Sequence, residues 1–442
     1  MTTFCHDFWL LDCCTNTVER GTLMPMQQQT WPKTEMALMP QYVRQFSCIG
    51  SECEDTCCQG WRVNIDEETY KKYQRVRDLE LKPLLKQGIG RVRSNANAQN
   101  YGKIKMNSKG KCPFLSENKL CSIQLKLGAD YLSDTCKFYP RVFNRVNGIL
   151  EKSATMSCPE AARLALLNPN PMEFDEVEEY VVKRGVIYRA IDTRKPTPAN
   201  KAEKYFWELR IFTIQVLQNR REALADRLLF LGLFYQKIQQ HLDEGKIDAI
   251  PETIGTYLRL MEQGGLAESL SMLPSRTSVQ MTVLKKIADA RFVSGISNGR
   301  YIQCYTQFLK GLKYTREATE EEIVRRYETA YRDYYEPFMR EHEYILENYL
   351  VNYVFMHMFP FGKYGTVFSE YTMLVLHYAL IKMHLIGMAA FHQGLTTELV
   401  IQLFYSFSRV VEHNSAYLQS VYHALKHNGY VTMHYMAVLI RN

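Results

Sequence analysis

The sequence predicts a mainly α-helical protein in which a small cysteine-rich metal-binding module precedes an α-helical body. Three observations predict it. Eight cysteines fall between positions 48 and 158. Beyond position 200, apolar residues recur at helical spacing. No Gly-rich turn of the G-x-G-x-x-G kind joins a strand to a helix, so no Rossmann-type domain is expected. Gly88-Ile89-Gly90 is too short for that turn, and Gly264-Gly265 falls between helices.

Residues 1–38 read as a poorly ordered extension. They hold Cys5, Cys13 and Cys14, a Gln run and a Trp-Pro pair. Those three cysteines are expected to be bystanders. From 39 to 165 lies the cysteine module. Its cysteines are Cys48, Cys53, Cys57, Cys58, Cys112, Cys121, Cys136 and Cys158, spaced C-x4-C-x3-C-C and then C-x8-C-x14-C-x21-C. Soft thiolates gathered in this way suit zinc or an iron–sulfur cluster. The alternative, a disulfide framework, belongs to secreted chains. The first residues carry no basic stretch before their apolar run, Asp12 interrupts that run, and no small-residue cleavage site follows. A cytoplasmic chain and a metal are therefore expected, with zinc and iron both open. The neighbours Cys57 and Cys58 are expected to point apart, serving one cluster across a strained turn or two separate sites. Asp66, followed by Glu67, Glu68, Tyr70 and Tyr73, reads as an N-cap with acids in the first helical turn. The stretch SNANAQN at 94–100 reads as loop.

The chain has 442 residues, a hydrophobic fraction of 46% and a formal charge of +7. Two or three domains and an ample core follow. Between Gln41 and Glu160 there are 20 Lys plus Arg against 13 Asp plus Glu, so this segment holds a charge equal to the whole excess. Basic neighbours would stabilise bound thiolates, or attract an acidic partner. No compact Lys/Arg run with interleaved aromatics is present, which speaks against nucleic acid.

Residues 166–200 read as a linker region, from LNPNP at 167–171 and RKPTPAN at 194–200. An α-helical domain is expected over 201–442. Tyr205, Leu209, Phe212, Val216 and Leu217 share one helical face. Ile323, Tyr327, Ala330 and Tyr334 share another before Pro337, which is expected to break that helix. Tyr327, Tyr331, Tyr334 and Tyr335 read as packing rather than a cation cage. The stretch Tyr371–Phe391 approaches membrane-span length. Lys382 at its middle would cost several kcal/mol in lipid, so a buried core helix and no membrane span are expected. His377 and His384, seven apart, read as satisfied core histidines, and Lys382 as snorkelling or paired.

The string QFSCIGSECEDTCCQGWRVNIDEETYKKY, with CPFL, CSIQ, TCKFYPR and the later ENYLVNYVF, resembles the flagellin lysine-N-methylase family. The cysteine part alone also resembles a broader group of zinc- or iron-chelating proteins named for a Cys-Cys motif. The likeness runs from about Gln41 onward, and WELRIFTIQVLQNR and EYILENYLVNYVF point to the methylase branch. It implies transfer of a methyl group from S-adenosylmethionine to lysines of flagellin, and an iron–sulfur cluster, of the 4Fe-4S kind, on some of the eight cysteines. The absent Gly-rich turn then means no Rossmann-type methyltransferase domain.

A lysine ammonium cannot attack a methyl sulfonium until it loses its proton, and its unperturbed pKa is about 10.4. A side chain must accept that proton, or a dry pocket must lower the pKa. Tyr349 and Glu347 are the candidate catalytic residues. Asn348, Asn352 and Tyr353, on adjoining turns, are the candidate donor-binding residues, since aromatic faces favour a sulfonium. The plainer reading makes all five hydrogen-bonded core and interface residues. A rival of another class is a non-catalytic zinc- or iron-binding protein whose metal site stabilises an interaction surface. The long helical half, which a pure chelating module would not need, favours the enzyme.

Overall fold

A computed structural model describes residues 33–182, 184–195, 201–264, 276–293 and 295–442. Cys5, Cys13, Cys14 and most of the expected extension lie outside them. Residues 34–38, placed in that extension by composition, belong instead to strand β1, Thr34–Pro40. Their ladder partners, β6 (Ile149–Ala154) and β7 (Phe174–Tyr180), lie far along the chain.

The architecture is mainly helical, with two sheets in the N-terminal half. A three-stranded antiparallel sheet joins β2 (Asn64–Ile65), β4 (Gly102–Ile104) and β3 (Ile89–Arg91) in that order. It borders a small core of Val63, Ile65, Tyr73, Leu81, Leu85, Phe114 and Ile123. Asp66 caps the helix Glu67–Gln74 by accepting from the Thr69 amide, as its sequence predicts.

The second sheet has five strands in the order β7-β1-β6-β5-β8. Strands β5 (Arg141–Val146) and β6 (Ile149–Ala154) form a hairpin. Its two-residue turn, Asn147-Gly148, has φ +53° and +89°, a conformation that Asn-Gly adopts at least cost. The stretch read as a linker supplies both edge strands, β7 (Phe174–Tyr180) and β8 (Ile187–Ile191). Prolines before β7 mislead there, and the Glu-rich outer face of β7 suits a sheet edge.

One continuous core unites this sheet with the helical body. Two buried polar links tie them together. Glu151 on β6 pairs with Arg210 on the helix Phe206–Leu217, each almost fully buried. Asn144 on β5 donates to the Met356 carbonyl at 2.8 Å. The helix Val367–His392 runs through the middle. It is apolar and long enough to cross a membrane, yet 89% of its most apolar window is buried inside the protein. Gly387 lets the helix Gly299–Gly311 approach it closely; a Cβ there would stand 2.4 Å from Phe308. Lys382 is buried and paired, donating to the Ile440 carbonyl at 3.0 Å with Tyr331 and Tyr378 beside its ammonium. His377 and His384 each donate from Nδ1 within their own helix, to the Met373 and Leu380 carbonyls. Pro337 does not end its helix outright: Glu320–Ala330 passes through a π-helical turn, Tyr331–Tyr335, into Glu336–His342. Proline is tolerated there because it falls in a first turn.

Candidate active site

Seven of the eight cysteines gather in one region. The Cys57 thiol lies beside that of Cys58, and Cys58 beside Cys112. Adjacent side chains here converge rather than point apart, because the turn through Thr56 folds back: the Cys58 amide donates to Thr56 Oγ1 at 3.1 Å. Cys121 interacts with Cys57, and Cys136 with Cys121 and Cys57. Cys53 and Cys158 lie within reach of each other's charge, and Cys158 also of Cys57's. Cys48 is exposed. Burial, with repulsion from neighbouring thiols, pushes Cys136 and Cys158 up to about 12, and the Cys112 thiol together with burial pushes Cys58 up to about 12. Opposing this, Arg409 favours the thiolates of Cys53 and Cys57, and the amides of a helix's first turn favour that of Cys158. Soft donors in this number fit a thiolate-bound metal in kind. Among the described residues, no three Cys, His, Asp or Glu side chains already stand as a metal-holding group.

Arg409 comes from a second irregular element. The helix Thr397–Phe407 widens into a π-helical turn, Ser408–Glu412, a distortion frequent at functional sites. Arg409 donates to the Thr56 and Ser157 carbonyls and to Asp55 Oδ2, at 2.8–2.9 Å, and so joins the helical body to the cysteine loop. The end of the turn presents Glu412 and His413 to a cavity of about 670 Å³. This cavity lies where the cysteine module, β5 and the helical body meet.

Its walls are chemically mixed. Trp61 and Tyr139 form an aromatic corner, with ring centroids 5.4 Å apart. The Trp61 indole donates to the Cys57 carbonyl at 2.6 Å, which fixes the corner to the thiol cluster. His357, Glu412 and His413 also line the cavity. His413 Nε2 lies 3.0 Å from Thr155 Oγ1. Burial holds His413 below its ordinary value, against the pull of Glu412, and holds His357 well below it. Both rings are therefore neutral near pH 7. Glu412 accepts from the Ser408 hydroxyl at 2.6 Å and from the Tyr349 phenol.

The five residues singled out on the helix Tyr344–Met356 are placed unequally. Glu347 is fully buried and held by Arg220 and Arg227 at 2.8 Å each, away from the cavity. Asn348 donates to the Asn168 carbonyl at 2.8 Å. Asn352 accepts from the Tyr42 hydroxyl at 2.7 Å and donates to the Ala154 carbonyl. These three tie the helix to its neighbours. Tyr349 stands one hydrogen bond behind the cavity, through Glu412. Burial and that carboxylate raise its phenol well above its ordinary value, so it stays protonated and donates. Tyr353 packs its ring 4.3 Å from His357. Trp61 and Tyr139 lie in the cysteine strings that carry the family resemblance but are not singled out there, and of His357, Glu412 and His413 only the last two sit in a local pattern. The acid–histidine pair at 412–413 directly precedes Asn414, the N-cap of the helix Ser415–His427, and so marks a helix break.

The FliB lysine N-methylase C-terminal domain family matches residues 210–439, which include Glu412 and His413. The lysine-N-methylases of Salmonella choleraesuis and Salmonella typhimurium are each 25% identical over 387 residues, spanning 85% of this chain and 92% of theirs. The flagellar biosynthetic protein FliU of Salmonella muenchen is 35% identical over 142 residues, 32% of this chain and 83% of that protein. No solved structure matches. With more than half of its length matched by that domain, the chain belongs to the FliB lysine N-methylase family.

Proposed function

We propose that the chain methylates protein lysines, taking the methyl group from S-adenosylmethionine and using flagellin as substrate, and that its cysteine module carries an iron–sulfur cluster. The observation that carries the reading is the mixed cavity of about 670 Å³ between the module and the family-matched helices. Its volume falls within the usual range for small-molecule sites. S-adenosylmethionine supplies an electrophilic methyl group on a sulfonium cation. The faces of Trp61 and Tyr139 favour such a cation and the ammonium of the incoming lysine. His413 takes the lysine's proton at Nδ1, the ring nitrogen opposite Thr155, and Glu412 next to it opposes the imidazolium charge. The free amine then forms its bond to the methyl carbon as the sulfur–methyl bond breaks, and the bonding pair stays with sulfur. Ser408 and Tyr349 hold the Glu412 carboxylate in place.

Cys57, Cys58, Cys112, Cys121 and Cys136 are the thiols that would hold the cluster, which when bound supplies the cross-linking that so small a core lacks. His413→Gln and Glu412→Gln should each lower turnover by roughly two to four powers of ten, with donor binding and iron content retained. Turnover within a few-fold of wild type in both variants would take the proton transfer out of this cavity. Protein that binds metal but leaves flagellin unmodified would favour the non-catalytic metal-binding reading.

A further inference from the structure

Glu412 and His357 line not only the main cavity but also a small chamber of about 20 Å³. Its other walls include Tyr353, Tyr364, His377 and Glu370, all buried, and the exposed Lys363. Among the described residues, the hydroxyls of Tyr353 and Tyr364 and the Nε2 atom of His377 have no hydrogen-bond partner. Polar groups so deeply buried are seldom left without one. The chamber has room for one water, and a buried water takes two to four such partners. Glu370 also lines a third cavity, of about 410 Å³, with Arg189, Glu203 and Gln239. That cavity reaches the surface at Gly365 and Thr366. Arg189 Nη1 and Gln239 Oε1 are buried there without a partner, so it too suits water. Gly362 lines both the chamber and the third cavity, and a Cβ on it would overlap the Glu370 carboxylate. Glycine thus lets that carboxylate stand between the two. Burial brings the Glu370 carboxyl up to about 7, against the Tyr364 amide, Arg189 and Lys363, so both its forms are populated near neutral pH.

We infer that Glu370 and this chamber form the proton exit of the site. The proton taken from each lysine passes from His413 to the Glu412 carboxylate, then through one water held by Tyr353, Tyr364 and His377 to Glu370, and leaves by the third cavity. The inference rests on the reading of His413 as proton acceptor and deepens it. Glu412 and His413 are neighbours in the π-helical turn, and the Glu412 charge acts on the rings of both His413 and His377. One proton enters at Glu412 and one leaves from Glu370, so His413 is neutral again for the next lysine. Donor and lysine fill the main cavity, and a second way out lets the acceptor reset. Glu370 touches neither of them; it acts only through the relay.

The test is rapid-quench methyl transfer from S-adenosylmethionine to purified flagellin near pH 7, with the anaerobically purified full chain. A relay that resets His413 is not needed for the first transfer but is needed for every later one. Glu370→Gln should therefore deliver one methyl group per protein at the wild-type rate and then slow by roughly a hundredfold, the lower end of the worth of a positioned acid or base. Glu370→Asp should restore part of the later rate. Imidazole added to the buffer should speed the later turnovers of Glu370→Ala in proportion to its concentration and leave wild type unchanged. Tyr364→Phe, which removes one partner of the water, should slow the later turnovers alone and decides the matter where a Glu370 variant fails to fold. Later turnovers at the wild-type rate in Glu370→Gln and Tyr364→Phe would overturn the inference, as would a first turnover slowed as much as the later ones. Wild type that transfers no methyl group would instead remove the reading on which the relay rests.

Discussion

The carboxyl of Glu370 is 2% exposed and accepts from the Tyr364 amide. Burial pushes its pKa up to about 7 from 4.5, against the lowering effect of that amide, Arg189 and Lys363. The folded state therefore holds this proton over a pH range in which the unfolded chain has released it. Stability should fall as pH rises from 4.5 to 7, by about 3 kcal/mol at about 1.4 kcal/mol per unit. Glu370→Gln keeps the acceptor for Tyr364 and removes the titration. It should match wild type near pH 4.5 and exceed it at pH 8 in urea unfolding; an unchanged pH dependence would assign the titration elsewhere. At this scale the sequence was legible where a partner is local. Asp66 announces its cap because Thr69 is three residues on. It was not legible where the partner is remote. Tyr349 takes its meaning from Glu412, 63 residues away, and Glu347 from Arg220 and Arg227, 127 and 120 residues away. No local rule links those positions, so the sequence left Glu347 between a candidate base and a tied core residue, and its ion pairs with Arg220 and Arg227 come only with the fold.

Elements repeat the pattern. The helix Val367–His392 was legible as a core helix because a central lysine argued against lipid, and Lys382 is indeed buried against Ile440 and two tyrosines. The hairpin of β5 and β6 carried its signal in Asn147-Gly148, whereas the edge strands β7 and β8 were obscured by flanking prolines. The helix Tyr344–Met356 is buried on every side, and its polar residues serve as tethers. Glu347→Gln leaves Arg220 and Arg227 without their shared charge. It should destabilise the fold by about 3–5 kcal/mol in denaturant unfolding, while the folded fraction transfers methyl groups at the wild-type rate. A specific loss of turnover at full stability would restore Glu347 as the base. The cysteine loops make a different demand. Cys136→Ser should lose metal and lower the melting temperature of the small core around Phe114, whereas Cys304→Ser, a buried thiol of the main core near Gln402 and Ser406, should keep its metal. Retention of full iron and sulfide in Cys136→Ser would exclude that thiol from the ligand set.

Across the whole molecule, the described residues from Thr34 onward form one compact unit with two cores. The small core and its thiols meet the large one where Arg409 reaches Asp55, Thr56 and Ser157. The main cavity opens at that junction. The two halves meet in one site: the module supplies Trp61 and Tyr139, and the helical half supplies Arg409, Glu412 and His413. A sequence shows the two halves separately, and the site exists only once they are packed together. The most direct measurement is the intact mass of purified flagellin after incubation with S-adenosylmethionine and the anaerobically purified protein, run beside His413→Gln. Wild type should give mass steps of single methyl groups that map to lysines, and the variant should give almost none at equal iron content. Unmodified flagellin with wild type, or equal methylation by the variant, would contradict lysine methylation at this site.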